Sequence, residues 1–236
     1  MFFVGTSGGP GADCLAALLL TGVILLGVFL TFGVSRLLSG TLLRGVPSSF
    51  TLELPPYRRP RIGQVVVRSV LDRTLFVLGR AAAVAAPAGL LIWLCANVQV
   101  GGDSILNWCT GFLDPFARLL GLDGVILMAF LLGFPANEIV IPIIIMAYLS
   151  TGSLLEFDSL DALRQLLVDH GWTWLTAVCT MLFSLMHWPC STTLLTIHKE
   201  TGSWKWTGAA VLIPTICGVL ICAAVRQGAA LLGVTC

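Results

Sequence analysis

The sequence predicts an all-α fold, a polytopic helical membrane protein with broken or re-entrant helices and about four to six membrane segments. Three observations carry that expectation. Of the 236 residues, 57% are hydrophobic and only 11% are charged, whereas soluble domains carry roughly a quarter charged residues. The mean hydropathy is +0.95. Long apolar runs alternate with short polar links, and two of those runs are interrupted near their middle by proline, which removes a backbone donor and clashes with the preceding turn. A formal net charge of +1 leaves no basic footprint for nucleic acid and no compositional case for disorder. The bilayer is therefore the expected principal partner. No G-x-x-x-x-G-K-[ST] motif occurs, so the chain carries no P-loop and is not expected to be an enzyme. Its eight cysteines include no C-x-x-C pair, and most lie in apolar runs as small hydrophobes.

Residues 1–38 comprise a Gly/Ser/Pro-containing lead-in without a basic signal-peptide start, then a first transmembrane helix over 14–38. Residues 39–73 are polar, marked by Pro47, Pro55, Pro56 and Pro60. With the flanking Arg36 and Arg80, this neighbourhood holds eight of the thirteen basic residues. The positive-inside rule makes it cytoplasmic and places the N-terminus outside. Residues 74–123 hold a second span at about 75–98, kinked at Pro87, then a turn at 101–103 and a mixed stretch over 104–120. The second half of that stretch reads as an amphipathic helix at the interface.

Residues 124–236 form the last unit. An apolar segment over 124–150 is broken by Pro135 and Pro142, and an acidic link over 152–171 follows. Residues 172–197 are apolar again, interrupted by His187, Pro189 and Cys190; a polar link over 198–206 leads to a last span over 207–225. Trp172, Trp174, Trp204 and Trp206 sit at segment ends, as interface anchors do. If 124–150 crosses, Lys199 and Lys205 fall outside; if it is a re-entrant hairpin turning at Pro135, they fall inside, which the positive-inside rule prefers.

The two interruptions, Phe134-Pro135-Ala136-Asn137-Glu138 and His187-Trp188-Pro189-Cys190-Ser191-Thr192, are the candidate site. Backbone groups freed at membrane depth are tolerated only when buried in protein or lining a wet cavity. Broken helices of this kind build the ion sites of many transporters. Glu138 is the only formal charge between Gly124 and Ser150, and Asn137 beside it adds oxygen at the same level. His187 and Cys190, three residues apart, would share a face of a regular helix, with Cys179 eleven residues earlier. Imidazole, thiolate and carboxylate together suit a borderline ion such as Fe²⁺. The candidate metal contacts are therefore Glu138, Asn137, Cys190 and His187, with Ser191, Thr192 and Thr193 as weaker oxygens.

Leu52-Glu53-Leu54-Pro55-Pro56-Tyr57-Arg58-Arg59-Pro60 resembles the ELPPY-R-x-P signature of FeoB-type ferrous iron transporters. Gly133-Phe134-Pro135-Ala136-Asn137-Glu138-Ile139, His187-Trp188-Pro189-Cys190 and Lys199-Glu200-Thr201-Gly202-Ser203-Trp204-Lys205-Trp206 resemble that family's second gate region, in the same order. The resemblance implies multi-pass insertion in the bacterial cytoplasmic (inner) membrane and passage of Fe²⁺ as transported ion, with no permanently bound cofactor. It marks Asn137, Glu138 and Cys190 as gate residues; His187 is added from its chemistry. It also implies nucleotide control by an N-terminal GTP-binding domain. Neither that domain nor the first gate region is in this sequence, so the resemblance is to the C-terminal half, and the expected partner is a GTPase/first-gate half on another chain. Homo-oligomerisation is left open. The alternatives are a non-transporting gate-fold scaffold or assembly protein, a non-autonomous fragment, and a membrane thiol enzyme using Cys179 and Cys190.

Overall fold

A computed structural model describes residues 10–41, 62–68, 74–150, 152, 160–231 and 233. In chain order these form α1 (Pro10–Gly40), α2 (Ile62–Arg68), α3 (Phe76–Asn97), the hairpin strands β1 (Gln99–Val100) and β2 (Asp103–Ser104), and α4 (Ile105–Leu119). Then come α5 (Gly124–Leu132), a 3-10 turn (Asn137–Ile139), α6 (Val140–Leu149), α7 (Leu160–Asp169), α8 (Trp174–Met186), α9 (Ser191–Thr201) and α10 (Trp204–Leu231). The Pro- and Arg-rich motif at 52–60 and the acidic residues Glu156 and Asp158 lie outside the described residues.

Among the described residues, three stretches are long and apolar enough to cross a bilayer: Cys14–Gly40, Trp174–Thr201 and Trp204–Leu231. The 22 residues of α3 reach about 33 Å at the helical rise, also the thickness of a hydrocarbon core. Helix α4 departs from the expectation that only the second half of 104–120 is helical. The Ser104 hydroxyl accepts the Asn107 N–H at 3.2 Å, and that cap starts the helix at Ile105. Helices α4 and α5 are bent by 109°, so they turn a corner instead of forming one straight span. Pro142 does not break its segment either. It sits in the first turn of α6, where a missing N–H leaves no helical bond unmade.

The question of whether 124–150 crosses or re-enters is answered by its two ends. Asp123 caps α5 through the Ile126 N–H at 2.6 Å, and its other carboxylate oxygen accepts the hydroxyl of Tyr148, near the end of α6. The start of α5 and the end of α6 therefore lie together, and the segment is an antiparallel helical hairpin. Nine and ten residues of α5 and α6 amount to about 14 and 15 Å each, half the thickness of the hydrocarbon core. At the apex the chain crosses itself closely: a Cβ on Gly133 would stand 2.6 Å from Val140 Cγ2.

The same end gathers the rest of the bundle. Trp172 Nε1 donates to the Tyr148 hydroxyl at 2.8 Å, tying the start of α8 to the hairpin. This corrects the reading of Trp172 as an interface anchor, since it is buried and hydrogen-bonded; Trp204, in contrast, is exposed. The end of α3 joins through Asn97 Nδ2, which donates to the Gly152 carbonyl at 2.9 Å. Helix α10 runs back along α8, with Gly218 against Met186 and Cys222 Sγ donating to the Cys179 carbonyl at 3.5 Å. The core is centred on the hairpin: Ile126, Phe130, Ile143, Ile144 and Phe183 are almost wholly enclosed. Helices α1 and α10 leave most of their apolar surface outward, as lipid-facing helices do.

A broken-helix site at the hairpin apex

Both sequence-predicted interruptions are real breaks. Helix α5 closes with the Gly133 N–H on the Ala129 carbonyl at 2.8 Å and the Phe134 N–H on the Leu131 carbonyl at 3.3 Å. Pro135 has no N–H to continue that ladder. The chain then turns extended at Ala136 before the short turn Asn137–Ile139. In the second segment α8 stops at His187 and α9 starts after Cys190, both in extended conformation, with Trp188 and Pro189 between them.

The two breaks are joined to each other. The Ser191 N–H, one of the free donors in the first turn of α9, reaches the Phe134 carbonyl at 3.0 Å. A helix N-terminus from one segment thus meets a carbonyl of the loosened backbone in the other, at the half-depth set by the length of the hairpin. Nothing in the spacing of either motif announces this contact, because it is made by backbone across 57 positions (191 minus 134).

The candidate side chains are arranged differently from what a continuous helix implies. His187 and Cys190 do not share a helical face, because the helix ends between them. Cys190 Sγ lies 3.1 Å from both Thr192 Oγ1 and Thr193 Oγ1, over the first turn of α9. His187 turns back along α8: its Nδ1 donates to the Ser184 carbonyl at 2.7 Å, and its ring packs on Phe130 with centroids 5.2 Å apart. A carbonyl only accepts, so the proton is on Nδ1, and in the neutral ring Nε2 carries the lone pair. That Nε2 is enclosed and unpartnered, as are Trp188 Nε1 and Ser191 Oγ. Three orphaned polar atoms within five residues, each costing about 1–3 kcal/mol if left so, mark this break as built to meet something else.

Asn137 and Glu138 are exposed on the turn beyond the apex. Among the described residues no group of three His, Cys, Asp or Glu side chains is gathered to hold a metal. The fold therefore brings the two loosened backbones together but does not converge Glu138, His187 and Cys190 into one closed coordination sphere. Cys179, extrapolated onto the same face as Cys190, is instead fully enclosed against Cys222 of α10.

Sequence reasoning missed the polar clasp of Asp123, Tyr148 and Trp172 that closes the hairpin's open end. Asp123 ahead of an apolar run is a legible helix cap, whereas its pairing with Tyr148 is tertiary.

Fold and breaks together define an all-α, multi-pass membrane protein with a re-entrant hairpin set against a broken span. A family model for Gate, described as nucleoside recognition, matches residues 78–204, and one for the ferrous iron transport protein B C terminus matches residues 20–72. The chain belongs to the Gate family, in the form joined to an FeoB C-terminal segment. It is 29% identical over 210 residues to the Fe(2+) transporter FeoB of Staphylococcus aureus (strain MSSA476), covering 85% of this chain and 30% of that protein. The Fe(2+) transporter FeoB of Methanocaldococcus jannaschii is 26% identical over 85% of this chain and 31% of its own length. That of Synechocystis sp. (strain PCC 6803) is 27% identical over 88% and 32%. The chain thus spans about a third of the relatives it matches, in their membrane region and outside their GTPase domain. No solved structure matches it.

Proposed function

We propose that the chain forms part of an Fe²⁺ permeation pathway across the bacterial cytoplasmic membrane, with the paired breaks as its gate. The observation that carries this reading is the Ser191 N–H to Phe134 carbonyl bond, which makes one structure of two proline breaks at the apex of a half-depth hairpin. Fe²⁺ is the transported substrate. The lone pair of His187 Nε2, the Cys190 thiol, and the oxygens of Asn137 and Glu138 are of the mixed softness that suits it. Their separation fits a route of successive partial contacts better than a tight site, and conduction requires an ion to be able to leave. The exposed positions of Asn137 and Glu138 supply the surface on which a GTPase/first-gate half would complete the route.

With the chain in its native genetic context, Glu138→Gln and Cys190→Ser are expected to abolish anaerobic Fe²⁺ uptake while leaving the amount of protein in the membrane unchanged. Uptake at the wild-type rate in both variants would overturn the proposal.

A further inference from the structure

Beside the gate lies a feature that the two breaks do not account for. The β1–β2 hairpin turns through Gly101 and Gly102, both with positive φ, which lets two residues reverse the chain and pairs Val100 with Asp103. It stands over a small polar cavity of about 160 Å³, whose rim carries Gln99, Asp103, Asn107 and Ser150. Met146 and Gly152 line it as well, and these two residues also line a second, larger and mainly apolar cavity of about 470 Å³. That second cavity runs between α3 and the hairpin, past the small side chains of Ala85 and Ala88, to Pro135 and Ala136 at the first break. Asn97 frames the junction, donating to the Trp93 carbonyl at 3.0 Å and the Gly152 carbonyl at 2.9 Å.

We infer that the polar cavity is the outer vestibule of the pathway, a weak site for a hydrated divalent cation, joined by the α3-side cavity to the gate. This rests on the transport reading above and adds where the ion waits before it meets the breaks. The chemistry separates the two stations. The vestibule offers side-chain oxygens around one carboxylate, Asp103, which has no ion-pair partner among the described residues; such a set holds a hard, hydrated ion through its water shell. Among the described residues no thiol or imidazole lines the vestibule, whereas both stand at the gate, where water must be shed. Met146 and Gly152 line both cavities, so the two stations are immediate neighbours. Within the expected topology the end of α3 is the outer end, so the vestibule faces the side from which an imported ion comes.

The test uses Asn107→Cys on the vestibule rim, and Leu90→Cys, exposed on α3 and not among the cavity residues, as a lipid-facing control. Intact cells are treated with a membrane-impermeant thiol reagent, with Mn²⁺ as a redox-stable hydrated probe, and labelling is located by mass spectrometry. The expected result is labelling at Asn107→Cys and not at Leu90→Cys, slowed about threefold or more by millimolar Mn²⁺, the range of weakly charged oxygen sites. Adding Asp103→Asn should remove the protection. In uptake, Asp103→Asn alone should raise the half-saturating Fe²⁺ concentration several-fold and leave the maximal rate unchanged, whereas Glu138→Gln lowers that rate. No labelling at Asn107→Cys, or protection that persists without Asp103, overturns the vestibule while normal wild-type uptake keeps the transport reading. Absent wild-type uptake overturns the transport reading, and the vestibule's role with it.

Discussion

A single hydroxyl illustrates how much of this fold hangs on side chains that composition does not single out. Tyr148 donates to Asp123 and accepts from Trp172, so it joins the start of α5, the end of α6 and the start of α8. Replacing it with Phe strands both partners in a largely enclosed place, at a cost of about 1–3 kcal/mol. Tyr148→Phe is expected to lower the thermal midpoint of the detergent-purified chain by several degrees and leave its helix content unchanged. An unaltered midpoint would mean that the clasp contributes nothing. The breaks at Pro135 and Pro189 were legible because proline inside an apolar run removes a backbone donor that the helix needs. Tyr148 was not, because its role depends on residues 25 positions back and 24 forward.

Helices and their breaks were mostly readable from apolar runs, and the exceptions have local causes. Pro142 looked like a second break in its segment, but a proline in a first turn costs nothing that the helix needs. The whole of α4 is helical because Ser104 caps it, a signal present in the sequence that the polar character of the stretch obscured. The re-entrant course of α5 and α6 was one of two readings from charge alone; packing decides it, through the tie between Asp123 and Tyr148 at its two ends, and the chain crosses itself closely at Gly133. Gly133→Leu should wedge the apex open, costing about 1–3 kcal/mol by overpacking. It is expected to make the hairpin susceptible to added protease in detergent, whereas Leu131→Ala, on an exposed position of α5, should not. Equal resistance in both variants would show that the apex tolerates a side chain.

At the scale of the molecule, the tied ends order the segments without reference to a membrane. Asn97, Asp123, Tyr148, Gly152 and Trp172 share one end. Leu38 of α1 lies with Thr201 and Trp206, lining one cavity at the other end. Combined with the arginine-rich stretch, this predicts that the link between α9 and α10 lies on the cytoplasmic side with Lys199 and Lys205, as the positive-inside rule favours. Ser203→Cys should then react with an impermeant thiol reagent only after the cells are permeabilised; labelling in intact cells would invert the topology. The 11% charge that first marked the chain as a membrane protein is thus unevenly placed: eight of the thirteen basic residues lie from Arg36 to Arg80, and the one charge within the hairpin sits just past its apex.

The central claim is that the two breaks act as one gate through the bond from Ser191 to Phe134, and Ser191→Pro removes that bond, with Ser191→Ala as the control that removes only the hydroxyl. Ser191 is the first residue of α9, where proline suits the helix, and Cys190 before it already has the extended backbone (φ −62°, ψ 157°) that a following proline requires. Ser191→Pro therefore deletes the N–H and keeps the helix. A bond of this kind, at about 1 kcal/mol or slightly more, shifts the balance between joined and parted breaks by roughly tenfold. Anaerobic Fe²⁺ uptake by Ser191→Pro, at wild-type abundance in the membrane, is the direct measurement. A change in rate of that order is expected, and an unchanged rate would contradict the account.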